Sequence, residues 1–332
     1  MNRLLRSLGP YAVLAGVLLL VPAIFTRVPF FTMSTAVQMA IMAIATLGLV
    51  LLMGHAGQIS IGQAGFFGIG AFSSAILTTG YGIPPFAAMV AGMVLSGVVA
   101  WLVGLGIFRI SGHYLALATI AFGLMLGFVA RQADITGGAS GIFGVPDLAI
   151  GTLAFRDDLS FYYLAAAVLV VSLVLTRNLV GSMFGRSLLA LGDSEIAASS
   201  SGIDTAKHKR TVFVIAAVFA ALAGSLQAHW ITFVDYHTLD LLLSIQILIM
   251  ATVGGAATVW GAPVGAFLVI ALSQAAQETL PLVFPNVGGQ FEIVVYGLAL
   301  IVVLLFLPKG VAGSLADLLR GRRRSPEPQA RS

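Results

Sequence analysis

Cysteine is absent from the 332-residue chain, and charge is scarce: Asp, Glu, Lys and Arg together make up 9% of it. The first absence removes a disulfide framework, a thiolate metal site and a cysteine nucleophile. The second removes a water-soluble surface, because soluble domains carry about 25% charged residues. From Val28 through Phe108 not one Asp, Glu, Lys or Arg occurs. So long a stretch must fold back several times, since one bilayer crossing takes about 20 apolar residues. A phosphate loop is missing too: without a single Gly-Lys dipeptide there is no Gly-x-x-x-x-Gly-Lys-Ser/Thr motif. Any nucleotide must be handled by another polypeptide.

What is present is apolar. Hydrophobic residues make up 59% and the mean hydropathy is +1.02. The expected fold is an all-α polytopic bundle of about ten spans, with eight as the fallback. Charge-poor windows place them near Leu8–Phe25, Met33–Met53, Ala64–Thr79, Phe86–Phe108, Tyr114–Ala130, Leu159–Thr176, Thr211–Ala228, Leu241–Val259, Gly261–Ala276 and Ile293–Leu307. The short ones read as tilted neighbours, half-helices or re-entrant segments. With both termini cytoplasmic, only Arg27, Arg131 and Arg156 of the 17 basic residues fall outside, which satisfies the positive-inside rule. The formal charge of +4 reflects Arg320, Arg322, Arg323 and Arg324 beside a span, a topological signal rather than a nucleic-acid footprint. Arg3 and Arg6 precede an apolar run with no clear small-x-small cleavage site, read as a retained first span. Residues 1–312 thus form one membrane domain, and 313–332 a basic tail expected to be disordered.

Two polar segments interrupt the pattern: an outside loop over 131–158 and an inside loop over 177–210. In the inside loop Asp193 suits an N-cap, Glu195 a first helical turn and Gly202 a left-handed C′ position, predicting a short helix over 194–201. Asp204 can cap a second helix whose first turns carry Lys207, His208, Lys209 and Arg210 at headgroup level. The short helix either docks into a partner's groove or is an ordinary solvated loop. Similarly, the Gly-rich stretch from Gly54 to Gly70 either serves close packing or lines a polar path with His55, Gln58, Ser60 and Gln63.

Competing chemistries find little. His55 and His113 stand alone on apolar segments, so no metal is expected. An ion-coupled carrier needs a deep ionisable residue, yet Glu278 and Glu292 sit at span edges. Gly138-Ala139-Ser140-Gly141 has the form used by rhomboid-like intramembrane proteases, but no spacing pairs Ser140 with His229 or His237.

Longer motifs carry a family resemblance. The run Gly57-Gln58-Ile59-Ser60-Ile61-Gly62-Gln63-Ala64-Gly65-Phe66-Phe67-Gly68-Ile69-Gly70-Ala71-Phe72 resembles the most recognisable segment of LivM-type permeases of branched-chain amino acid ABC transporters. Gly185-Arg186-Ser187, Glu195-Ile196-Ala197-Ala198 and Gly202-Ile203 are similar to that family's cytoplasmic coupling segment. Gly112-His113-Tyr114 with Thr119, Thr136-Gly137-Gly138 and Pro308-Lys309-Gly310 follow in the family's order. The resemblance implies a non-enzymatic permease subunit of the bacterial inner membrane, without cofactor. Its implied partners are a second, LivH-like permease subunit, two cytoplasmic ATPase subunits and a periplasmic or extracellular solute-binding protein. Gly185, Arg186, Asp193, Glu195, Ala197, Ala198 and Gly202 would couple to the ATPase. Ala256, Ala257 and Ala262 depart from the Gly and Pro common in the family, and Gly192 replaces a frequent basic residue, leaving the cargo open among branched-chain amino acids, other amino acids, urea and amides.

Overall fold

Packing in this bundle is organised around one long helix. The computed structural model describes residues 16, 18, 21–22, 31–108, 114–150, 153–283, 297–298 and 310–319. Its helices are α1 (Met33–Val50, continued by a π turn Leu51–His55), α2 (Gln63–Tyr81), α3 (Pro85–Ile107), α4 (Tyr114–Gln132), α5 (Asp158–Gly181), α6 (Met183–Asp193), α7 (Glu195–Ser200), α8 (Thr205–Ile231), α9 (Leu241–Gly254), α10 (Gly261–Val283) and α11 (Gly310–Leu319). Among the described residues five helical stretches, 33–55, 85–107, 115–132, 158–181 and 205–231, are long and apolar enough to cross a membrane, with shorter apolar helices at Leu241–Gly254 and Gly261–Ala275. The expected spans Leu8–Phe25 and Ile293–Leu307 fall almost wholly outside the described residues.

At 27 residues, α8 is about 40 Å long, and it packs against α1, α2 and α3. Small residues let it do so. A Cβ on Gly70 would lie 2.1 Å from the Ala221 carbonyl oxygen, and one on Gly224 would lie 1.9 Å from that of Phe67. Between apolar helices in lipid, such close approach replaces the hydrophobic drive that water would supply. Hydroxyls tie the seam: Ser225 donates to the Gly70 carbonyl at 3.0 Å, and Ser96 of α3 to that of Ala217 at 3.0 Å. The core is accordingly apolar, with Ile41, Ile44, Leu47, Phe66, Phe67, Tyr162 and Phe213 fully enclosed.

Several boundaries differ from the sequence expectation, among them the end of α5, which runs to Gly181 rather than Thr176. The span expected to reach Val259 ends at Gly254, because Gly255 turns the chain at φ 104° and 255–260 form a loop. The one expected to stop at Ala276 continues to Val283. The tail expected to be disordered from 313 begins as helix α11, which packs on α9 and α10. The loop over 131–158 holds two 3-10 turns and short strands: β1 (Ile142–Phe143) pairs antiparallel with β4 (Phe233–Val234), and β2 (Ala149–Ile150) with β3 (Leu153–Ala154).

The Gly224 contact predicts that Gly224→Val overpacks the α2/α8 seam, costing about 1–3 kcal/mol. Gly106→Ala, with nothing within 4 Å of the added methyl, should leave stability unchanged or slightly raised. Thermal midpoints of the detergent-solubilised variants decide this; equal midpoints would refute the seam argument.

Candidate transport and coupling sites

Between α1 and α2 the chain stops being helical inside the bundle. Gly70 and Ser225, and likewise Ser74 and His229, are bonded pairs 155 residues apart in sequence, so α2 and α8 run parallel in that register. In it Gln63, the first residue of α2, stands level with Val218, halfway along α8. The start of the segment lies at the basic end: a Cβ on Gly57 would meet Gly192 at the end of α6 at 3.3 Å. Residues 56–62 therefore re-enter the bundle from that end to about half its depth. Exposed backbone donors at such depth cost several kcal/mol each unless paired. Neighbouring hydroxyls meet the need: Ile61 N–H donates to Thr119 Oγ1 of α4 at 3.1 Å, and Ala64 N–H to Ser244 Oγ of α9 at 2.9 Å. Gln58 N–H reaches the Leu52 carbonyl at 3.0 Å.

The four residues read as a polar path lie on or beside this segment, in unlike settings. His55 is buried and bonds back to the Val50 carbonyl at 3.4 Å. Gln58 is half-buried and donates to the Ala56 carbonyl at 3.2 Å. Ser60 and Gln63 have no exposure. Both amide atoms of Gln63 lack a hydrogen-bond partner, a costly state that leaves a donor and an acceptor available at mid-depth. Thr119 and Ser244, which hold the break, carry no local sequence signal beyond being hydroxyls in apolar runs.

At the basic end, each junction of the inside loop has its own cap. Ser182 accepts from Gly185 N–H at 3.3 Å to start α6. Ser194 accepts from Ala197 N–H at 3.3 Å to start α7. The N-cap is thus Ser194, not Asp193, which is instead the last residue of α6: Ser194 has the extended backbone a cap requires, while Asp193 is still helical. Gly202 closes α7 at φ 81°, with its N–H on the Ser199 carbonyl and the Ile203 N–H on that of Ala198, the two-bond C-terminal motif that favours glycine. Asp204 then caps α8 by accepting from Lys207 N–H at 3.0 Å.

This run of caps leaves α7 a short rigid lever. Gly185 and Ala198 are buried, whereas Arg186, Asp193, Glu195 and Ala197 face outward. Lys209 of α8 is only 5% exposed, and its Nζ lies 2.6 Å from Glu195 Oε1 on α7. Phe184 of α6 stacks on His208 of α8 with centroids 5.2 Å apart. On α6 and α7 the apolar side chains of Ile196, at 79%, and Met183, at 78%, are the most exposed, with Leu189 less so. Ile196 stands in the Glu195-Ile196-Ala197-Ala198 motif, and an isoleucine among small residues on a polar helix is the sequence signal for its exposure.

At the opposite end, Asp158 accepts from Trp230 Nε1 at 3.0 Å and from Ser34, joining α5, α8 and α1. Arg131 lies over the Tyr236 ring at 5.2 Å. The protease alternative finds no dyad here: both ring nitrogens of His229 are engaged, by Ser74 at 3.1 Å and by the Pro146 carbonyl at 2.7 Å. His237 bonds to Asp240 at 2.8 Å, and that bond, ahead of all other influences, holds its pKa above the ordinary imidazole value. Among the described residues no group of three potential metal ligands occurs.

Two outcomes follow. Glu195→Gln strands the buried Lys209 ammonium, whereas Lys209→Met leaves a half-exposed carboxylate that water can solvate. The first should therefore be the more destabilising, by about 1–3 kcal/mol, measured by thermal unfolding; the reverse order would contradict the burial of Lys209. His237 should titrate above 6.5 by NMR and return towards it in Asp240→Asn. A raised folded-state pKa stabilises fully below the unfolded value and fades as pH climbs through the folded one, so this loop contact loosens on going alkaline.

Comparison with known proteins follows the same lines. Two curated relatives are both described as "High-affinity branched-chain amino acid transport system permease protein LivM". The one from Salmonella typhimurium is 27% identical, over 85% of this chain and 71% of its own. The one from Escherichia coli is 26% identical, over 84% and 69%. Among solved structures, PsaBC from Streptococcus pneumoniae in complex with Fab aligns with 89% of this chain and 97% of its own at 13% identity, with a TM-score of 0.43, too low to bear on the fold. The model of the family described as "Branched-chain amino acid transport system / permease component" matches residues 31–307, and the chain belongs to that family.

Proposed function

We propose that this chain is a membrane-spanning permease subunit of a bacterial ABC importer, carrying branched-chain or related amino acids across the inner membrane with energy from ATP hydrolysed by partner subunits. The observation that carries the reading is mechanical: α7 presents uncovered Ile196 and is held by Glu195 to Lys209 near the start of α8, whose far end reaches the opposite face. Displacement of α7 is thereby transmitted to a helix as long as the bundle is deep. Family membership supplies the context in which such a lever acts.

In this reading the basic end, with Arg177, Arg186, Lys207, Lys209 and Arg210, faces the cytoplasm, as the positive-inside rule requires. Gly185, Arg186, Asp193, Glu195, Ala197, Ala198 and Gly202, together with Met183 and Ile196, meet an ATPase subunit there. The full machine comprises a second, LivH-like permease, two cytoplasmic ATPase subunits and an external solute-binding protein that delivers the cargo. ATP binding draws the ATPases together, α7 follows, and the open side of the path alternates. Ser60 on the re-entrant segment and Gln63 at the start of α2 line the inner part of that path, and His55 supports it through its bond to Val50.

A buried apolar anchor replaced by a charge at an interface loses about 2 kcal/mol or more, on the order of thirtyfold in affinity. Ile196→Asp should therefore insert normally but fail to retain the ATPase subunits on mild-detergent purification, and Glu195→Lys with Gly202→Pro should likewise abolish uptake. Normal ATP-dependent uptake by either variant would overturn the coupling assignment.

A further inference from the structure

Near the end opposite α7, a cavity of about 340 Å3 opens between α1, α2, α8, α9 and the loop over 233–240. Its size is at the lower end of the roughly 300–1,000 Å3 of small-molecule sites, so it suits a single small solute rather than a peptide or a sugar chain. Its polar groups come from separate elements: Gln38 of α1, Gln227 of α8, Gln246 of α9 and Asp235 of the loop. Gln227 Oε1 is buried and has no hydrogen-bond partner. Asp235 is half-buried at the lip, and its carboxylate enters none of the salt bridges among the described residues. The only other acid lining the cavity, Asp240, is already engaged by His237. Met42, one turn from Gln38, and Phe67 contribute apolar wall.

Asp235 enters no salt bridge, and although it acts electrostatically on His237, which also lines the cavity and is bonded to Asp240, its carboxylate is available to an ammonium group. Amides converging from three helices supply N–H donors for a carboxylate without adding charge. Apolar wall between them accepts an aliphatic side chain. We propose that this cavity is a reception site for a free zwitterionic α-amino acid, with its ammonium on Asp235, its carboxylate among Gln38, Gln227 and Gln246, and its side chain against Met42 and Phe67. Phe67 and Gln63 lie one turn apart on the same face of α2, so the unpartnered Gln63 amide sits directly below the cavity wall as the next polar contact inward. The assignment rests on the transport reading above and adds to it a place where cargo pauses inside the permease.

The absence of cysteine makes the test direct. Thr238→Cys and, separately, Leu243→Cys, at cavity-lining positions to which no ligand contact is assigned, are introduced into the complete transporter in right-side-out vesicles and treated with a membrane-impermeant sulfonated thiosulfonate. Both cysteines should react, and L-leucine should slow them by a factor of one plus its concentration over Kd, about tenfold at ten times Kd. Leucinol, which lacks the carboxylate, and 4-methylpentanoate, which lacks the ammonium, should protect far less. Asp235→Asn should abolish protection by leucine while the unprotected rate persists. No labelling of either cysteine, labelling indifferent to leucine, or equal protection by 4-methylpentanoate, urea or acetamide would overturn the proposal. ATP-dependent leucine uptake by the unsubstituted transporter is measured in parallel. Its loss with protection intact would count against the transport reading alone, and its presence without protection against the reception site alone.

Discussion

Every backbone donor and acceptor in a lipid-embedded chain must find a partner within the protein, and the break between α1 and α2 is where that demand is hardest to meet. Residues 56–62 lie at a depth where a regular helix would be self-sufficient. The chain instead spends Thr119 Oγ1 and Ser244 Oγ, from two different helices, on the donors that the break exposes. Those two bonds fix α4 and α9 against the start of α2. The register of α2 on α8 then follows from the glycine contacts at Gly70 and Gly224, which admit only one depth of approach. Gln63 is thereby held at mid-depth with its amide unpartnered.

That arrangement divides the protein into two working ends joined by α8. At one end the capped run of α6 and α7 is fastened to α8 by an ion pair whose lysine is buried and whose glutamate is not. An asymmetric pair of this kind resists separation, because the ammonium cannot be left without its partner, while the carboxylate side stays accessible. At the other end α8 contributes Gln227 to the cavity and Trp230 and His229 to the contacts that frame the outer loop. A movement imposed on α7 has a continuous route to the residues that surround the cavity.

Much of this was readable in the residues themselves. Apolar run length located the helices from Met33 to Gly181 to within a few residues, since span length answers to bilayer thickness and little else. The left-handed role of Gly202 and the cap at Asp204 followed from residue type, as local backbone geometry dictates. The cap at Ser194 was missed by one position, because Asp193 and Ser194 are both good caps and only the backbone dihedral distinguishes them. The early end of α9 was missed because Gly255 and the alanines after it keep the run apolar while the chain turns.

From residue types along the chain follow membrane residence, helical structure, the approximate course of the long apolar helices and the position of the basic loop, because these depend on composition and on local chemistry. The packed bundle alone starts α2 at half depth, buries Lys209 against Glu195, and gathers Gln38, Gln227, Gln246 and Asp235 around one cavity. Those residues are far apart in sequence, and their chemistry depends on whether their polar atoms find partners, a property of the packed bundle that no single segment contains.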